Sequence, residues 1–301
     1  MTRRISSKVP TPLLHQRILT WYAHEARDLP WRQQGVSPWG VFVSEVMLQQ
    51  TPVARVEPVW RQWISRWPSP AALAASPPGD AVHAWGRLGY PRRALRLHGA
   101  AVAMVQHHGG TVPDTHAELL ALPGVGTYTA AAVSAFAFGL RTAVVDTNVR
   151  RVFARIVGGA GQAAPSVTRA ELDLATALLP EKADVARTWS FAVMEVGALV
   201  CSARSPRCAE CPVRDLCVWQ RAGQPAYEGP ARRGQSWKGT DRQCRGAILA
   251  VLRESKGPVT ASTVVAAWST DGPQRDRCLA SLVADGLVEP LSDKRFRLPG
   301  R

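Results

Sequence analysis

The sequence predicts an all-α chain, and three observations support that prediction. Apolar residues recur at three- and four-residue spacing through most of residues 11–220. Gly- and Pro-rich turns separate these periodic stretches. Convincing period-two alternation is absent from the same span, so nothing in it reads as a strand.

In chain order, examples of the helical segments are "LLHQRILTWYAHEA" (13–26), "WGVFVSEVMLQQ" (39–50), "VARVEPVWRQWISRW" (53–67), "RRALRLHGAAVAMVQHH" (92–108) and "RAELDLATALL" (169–179). "DTHAELLAL" (114–122) adds a helix that begins at an Asp or Thr cap. The stretch 221–240, "RAGQPAYEGPARRGQSWKGT", loses periodicity and reads as a linker. Helical patterns return at 242–255, 260–268 and 273–285. "GLVEPLSDKRFRLP" then alternates like two short strands around a turn with "SD" at its tip. Three helices and a hairpin is the winged-helix order. The expected organisation is therefore a helical domain over 1–220, a linker over 221–240 and a small winged-helix-like domain over 241–301.

A length of 301 residues suits two domains, and 46% hydrophobic residues suffice to fill their cores. The net charge is +14. Residues 1–220 hold 23 basic and 15 acidic residues, and the remainder holds 14 and 8. Both parts are basic, which suits a polyanion such as nucleic acid. No run of apolar residues reaches membrane-span length, and the N-terminus has no signal-peptide core. A cytoplasmic monomer with no membrane partner is expected. Six cysteines in a reducing compartment favour metal ligation or free thiols over disulfides.

Three constellations carry chemistry. In "LPGVGTYTA" (122–130), Gly124 and Gly126 stand before a helix, with Val125 between them and Thr127 after. Glycines there let backbone N–H groups converge at the positive end of a helix, where a phosphate fits. An ordinary tight αα-hairpin would use the same residues. Cys201, Cys208, Cys211 and Cys217 put four thiols within 17 residues. Only one pair has the C-x-x-C spacing of a zinc knuckle, and all-cysteine ligation of this kind fits a 4Fe–4S cluster. Arg204, Arg207 and Arg214 fall between the ligands. The third constellation is a pair of carboxylates. Glu45 lies mid-way along an apolar helix, with Gln49 one turn on along the same face. Burial would raise the pKa of Glu45 and suit it to donate a proton, whereas a surface glutamate would do nothing. Asp146 precedes a helix carrying Arg150, Arg151 and Arg155 and reads as a rigid N-cap. Two carboxylates in different environments can cleave a glycosidic bond, one as acid and one as anion facing the sugar cation.

Together these motifs resemble the helix-hairpin-helix superfamily of DNA glycosylases, specifically the MutY-type adenine DNA glycosylases. The likeness spans about Trp21 to Cys217. It is carried by "RDLPWR" (27–32), "VSEVMLQQTPVARV" (43–56), "WGRLGYPRRALRLH" (85–98), "LPGVGTYTA", "VVDTNVRRV" (144–152), "MEVGALVC" (194–201) and the cysteine loop. The resemblance implies a monofunctional enzyme acting on double-stranded DNA with adenine opposite 8-oxoguanine or guanine. It holds one 4Fe–4S cluster. The strand-cleaving relatives place a lysine where this chain has Tyr128, which cannot form a Schiff base. Glu45 would protonate adenine, and Asp146 would face the sugar cation with Tyr128 and Asn148 positioning it. Gln50 and Tyr90 would wedge into the duplex, and Arg27, Trp31 and Arg32 would lie near the flipped adenine. The sequence departs from the family at Phe191, where a Glu or Gln is usual, and at Pro91 after Tyr90. It also has a short tail in place of a Nudix-like domain. The same scaffold would serve a glycosylase for thymine or uracil opposite guanine, which Glu45 disfavours because purine N7 is what needs the proton. A non-catalytic iron–sulfur DNA-binding regulator is the rival from another class, and it has no use for a buried acid.

Overall fold

The computed structural model describes residues 9–227, 229 and 237–301. Its helices up to the cysteine loop are α1 (Thr11–Glu25), α2 (Pro38–Leu48), α3 (Val53–Arg66), α4 (Pro70–Ala74), α5 (Pro78–Trp85), α6 (Arg92–His107), α7 (His116–Ala121), α8 (Thr127–Phe138), α9 (Thr147–Ile156), α10 (Arg169–Ala177) and α11 (Ala183–Glu195). After it come α12 (Val218–Arg221), α13 (Asp241–Glu254), α14 (Ala261–Ala267) and α15 (Gly272–Ala284). Among the described residues the strands are confined to the tail. They are β1 (Val259–Thr260), β2 (Glu289–Pro290) and β3 (Arg295–Arg297), paired antiparallel in the order β1-β3-β2. The helix-rich expectation and the hairpin near the C-terminus match these elements. β1 escaped the sequence reading because two residues cannot display alternation, and Thr260 doubles as the cap of α14 by accepting from the Thr263 N–H. Part of the expected linker, residues 228 and 230–236, lies outside the described residues.

Local chemistry sets the helix boundaries. Thr168 and Glu171 form a reciprocal capping box at α10. Gly139, in the left-handed conformation, ends α8. Thr115 is the cap that starts α7, its hydroxyl accepting from the Glu118 N–H at 3.3 Å.

The described residues divide into two compact units. One is drawn from Met1–Pro38, Asp114–Leu120 and Gly126–Ala231, the other from Trp39–Pro113, Ala121–Val125 and Arg232–Arg301. The first is built around Leu14 and Ile18 of α1, Val152 and Phe153 of α9, and Trp189 and Val193 of α11. The second has a tryptophan-rich core in which Trp63 meets Trp67 and Trp85 edge-on, at 4.7 and 5.7 Å. The tail helices α13–α15 belong to this second unit. One seam is the Gly79 N–H donating to the Pro299 carbonyl at 2.8 Å. A Cβ on Gly79 would stand 2.6 Å from that oxygen, so the close approach requires glycine.

Candidate active site

In the second unit, α2 buries every residue from Trp39 to Met47, and Glu45 among them is only 5% exposed. Few glutamates are this far withdrawn from water, which marks Glu45 as a functional candidate. The helix ends at Leu48, with Gln49 half-buried and Gln50 exposed. Gln50 (φ +54°) and Tyr90 (φ +48°) are both non-glycine residues in the left-handed region. Such backbone strain persists only where surrounding contacts over-determine it.

Arg93, which the sequence reading passed over, supplies those contacts. It is 6% exposed. Its Nη1 donates to the carbonyls of Val46, Met47 and Gln49 at 2.9, 3.1 and 2.6 Å. Its Nη2 donates to Thr51 Oγ1 at 2.9 Å and the Gly89 carbonyl at 3.1 Å. One guanidinium thus closes the C-terminus of α2, where carbonyls are unsatisfied and the dipole is negative, and grips the residue before Tyr90. The Tyr90 ring lies over the same guanidinium at 5.4 Å. Burial pushes the Arg93 pKa down to about 10. The signal in the sequence was an arginine at a position of α6 that helical periodicity places inside.

The two hairpin glycines have different reasons to be there. Gly124 has φ +76°, and a Cβ on it would collide with Arg96 Cβ at 2.7 Å, so the protein itself demands glycine. Gly126 has an ordinary φ of −104°, and nothing stands within 4 Å of where its Cβ would be. Its absent side chain leaves the start of α8 open to an approaching group. Val125 and Tyr128 are half-buried and Thr127 is exposed.

In the first unit, Asp146 caps α9, its Oδ1 accepting from the Val149 N–H at 2.7 Å. Its Oδ2 accepts from the Asn148 amide at 2.8 Å. Asn148 in turn accepts from Arg151 Nη2 at 2.7 Å. Desolvation raises the Asp146 pKa, against the pull of the Val149 and Asn148 hydrogen bonds and the Arg151 charge. Arg151 also donates to the carbonyls of Gly197 and Cys201, each at 2.6 Å. The chain here runs in a π-turn, Val196–Val200, and a Cβ on Gly197 would meet Asn148 Cβ at 2.6 Å. The glycine of "MEVGALVC" therefore lets this turn pack on Asn148.

Arg27 and Arg32, expected beside a flipped adenine, converge on Glu195, whose side chain is fully buried. Arg27 Nε and Nη2 donate to its two oxygens at 2.8 and 2.7 Å, and Arg32 Nη1 donates to Oε1 at 2.8 Å. Burial alone would raise the Glu195 pKa, but the Arg27 hydrogen bonds and the Arg32 and Arg27 charges together hold it below the usual glutamate range. Trp31 is buried on the turn between the two arginines. Phe191, the departure from the family pattern, stacks on Phe136 at 4.2 Å and carries the Arg32 guanidinium 4.7 Å above its ring. Glu195 was another omission. Its signal was a lone acid, one turn after Phe191, on an otherwise apolar helical stretch.

Cys201, Cys208, Cys211 and Cys217 line one cavity with Arg155 and Trp219. Four thiols lining one cavity match the all-cysteine ligation of an iron–sulfur cluster. Burial pushes the Cys211 thiol up to about 11 and raises Cys208 and Cys217, a cost that iron ligation removes by binding the thiolates. Arg155 donates to Cys201 Sγ at 3.3 Å and to the Ser202 carbonyl at 2.8 Å. Arg204 and Arg214 are exposed on the loop, while Arg207 is anchored to the Leu199 carbonyl.

Residues 43–176 match the family model of the HhH-GPD superfamily of base excision DNA repair proteins, and residues 201–217 match the iron–sulfur binding domain of endonuclease III. An adenine DNA glycosylase of Mycobacterium tuberculosis is 53% identical over 97% of this chain and 95% of its own length. One from Mycolicibacterium smegmatis is 54% identical over 94% and 95%. Among solved structures, a thermostable thymine-DNA glycosylase superposes with a TM-score of 0.63 at 27% identity, covering 70% of this chain and 97% of that one. With its catalytic-domain motifs, its four cysteines and its tail all inside these alignments, the chain belongs to the adenine DNA glycosylases of the HhH-GPD superfamily and carries one 4Fe–4S cluster.

Proposed function

We propose that this base excision repair hydrolase of the adenine N-glycosidic bond acts on adenine mispaired with 8-oxoguanine or guanine, and that it does so without cleaving the strand. The observation that carries the reading is Glu45, a carboxylate 5% exposed in a buried, mostly apolar helix. The duplex is bent and the adenosine turned out of the stack, at a cost of about a few kcal/mol. Glu45 donates a proton to N7 of the base. The C1′–N9 bond then breaks with its electron pair leaving on adenine, and the sugar becomes cationic. Asp146, held by Val149 and Asn148, is the anion that faces this cation. Water adds to C1′ and gives up a proton, leaving an abasic site. Tyr128 offers no amine for a Schiff base, which is why the backbone survives. Gln50 and Tyr90, both held with left-handed backbone, enter the duplex around the partner base. Gly124–Thr127 receives a backbone phosphate. The cluster holds the loop 201–217 in shape, with Arg204 and Arg214 facing outward.

The test incubates the protein with duplexes carrying A opposite 8-oxoguanine, A opposite G, T opposite G and U opposite G, followed by alkali. Cleavage of only the adenine strands is expected, and none before alkali. Excision of thymine or uracil alone would favour the mismatch enzyme instead. Glu45→Gln is expected to lower the excision rate on the order of 10²–10⁴-fold while DNA affinity persists. Full activity in that variant would remove Glu45 from the mechanism.

A further inference from the structure

The connection from α5 to α6, Gly86–Pro91, carries Tyr90 near its α6 end, and the tail holds both of its roots. At the α5 root the Arg253 guanidinium, from the last turn of α13, donates to the Gly86 carbonyl. Beside it Arg87 lies 3.8 Å from Glu254. At the α6 root Arg92 donates to Asp285 Oδ1 at 3.1 Å, and Gly286 lies against Leu95. Arg245 of α13 holds the other oxygen of Asp285 at 2.5 Å, so this one carboxylate ties α13 and the end of α15 to α6. Within the tail, Arg275, Arg277, Arg295 and Arg297 are each ion-paired with a neighbouring acid. The tail thus neutralises much of its own positive charge, whereas a nucleic-acid reader presents it.

A left-handed tyrosine on an irregular loop relaxes unless it is fixed from more than one side. Arg93 fixes the loop from within, and the tail grips it from outside. We propose that residues 241–301 act as a brace that holds Tyr90 in the pose that enters the duplex, with Arg253 and Asp285 as positioning residues for base excision. This rests on the reading of Tyr90 as a residue that enters the duplex.

The test is a double-mutant cycle on the full-length protein, read as single-turnover excision from a duplex with A opposite 8-oxoguanine. Arg253→Met and Asp285→Asn are each expected to slow excision about fivefold, within the range of coupling between residues that act through one another. In a Tyr90→Ala background neither is expected to slow it further. Arg253→Lys, which keeps a donor for Gly86, is expected to restore most of the rate. A purely structural contribution would instead add to the Tyr90→Ala loss, and additivity overturns the brace. If Arg253→Met proves unstable, Asp285→Asn carries the cycle alone. Slow Tyr90→Ala with wild-type rates in both tail variants sinks the brace and leaves the reading of Tyr90 standing. A wild-type rate in Tyr90→Ala removes that reading and the brace with it.

Discussion

Half-buried Asp146 and fully buried Glu195 are carboxylates of the same unit, yet their acidities move in opposite directions. Desolvation is the largest influence on each and raises both. What separates them is the partners. Glu195 is met by two guanidiniums within 2.8 Å, so its charge is matched and it behaves as a structural ion. Asp146 receives only neutral donors, the Val149 N–H and the Asn148 amide, with Arg151 one step further back. Its negative charge is oriented but not neutralised. That is the state an anion needs if it is to meet a cation that exists only during reaction. The fold spends arginines freely around the cluster loop and Glu195, and keeps them one residue away from Asp146.

Removing each charge should expose this difference, the larger loss falling on Asp146. Asp146→Asn keeps a capping oxygen and the helix, but it presents a neutral group to the sugar. Single-turnover excision is expected to fall on the order of 10²–10³-fold. The far-ultraviolet spectrum and the melting temperature should stay close to those of the parent. Appreciable activity in this variant would show that the unmatched charge is not what the reaction uses.

Glu195→Gln should do the reverse, harming the fold first. It leaves Arg27 and the largely buried Arg32 facing a neutral amide, and stability is expected to drop by about 3 kcal/mol, the low end for breaking a buried pair. Denaturant melts would measure this. A variant as stable as the parent would mean that solvent already matches the two guanidiniums. The comparison between the carboxylates would then lose its structural half.

How legible these groups were in the sequence follows from how far away their partners lie. The Asp146 cap could be read because its acceptor–donor partner is three residues on. Glu45 could be read because it falls in a mostly apolar run that is buried from Trp39 to Met47. Gly124 was read as making room for a phosphate, and the structure gives it a separate reason, a clash partner, Arg96, on a helix 28 residues earlier. Glu195 left only the trace of a lone acid in an apolar stretch, because its counter-ions come from 163 and 168 residues away. Arg93 was missed in the same way. Four of its five acceptors lie at the end of α2 and in the turn after it, 42 to 47 residues earlier, and only Gly89 is close in sequence. Phe191 looked like a defect in the family pattern until its place between Phe136 and Arg32 gave it work.

The smallest effect, and the most discriminating, is the order in which activity and stability fail as pH drops. Asp146 has a folded pKa raised above its usual 3.8, so protonation inactivates it while the solution is still less acid than that value. Its protonation does not weaken the fold. A group with a raised folded pKa favours the native state as pH falls, because the native state binds the proton more readily than the unfolded chain. Glu195 has a folded pKa lowered below 4.5, so the stability it contributes is present above 4.5 and disappears only as pH falls through its lower, folded value. Activity should therefore decline first, with the melting temperature still high, and the fold should weaken at lower pH. Excision rates and thermal melts across the same buffers at constant ionic strength would measure the two limbs. If the limbs coincide, loss of the native state explains the loss of activity, and the raised pKa of Asp146 has no part in the catalytic pH profile.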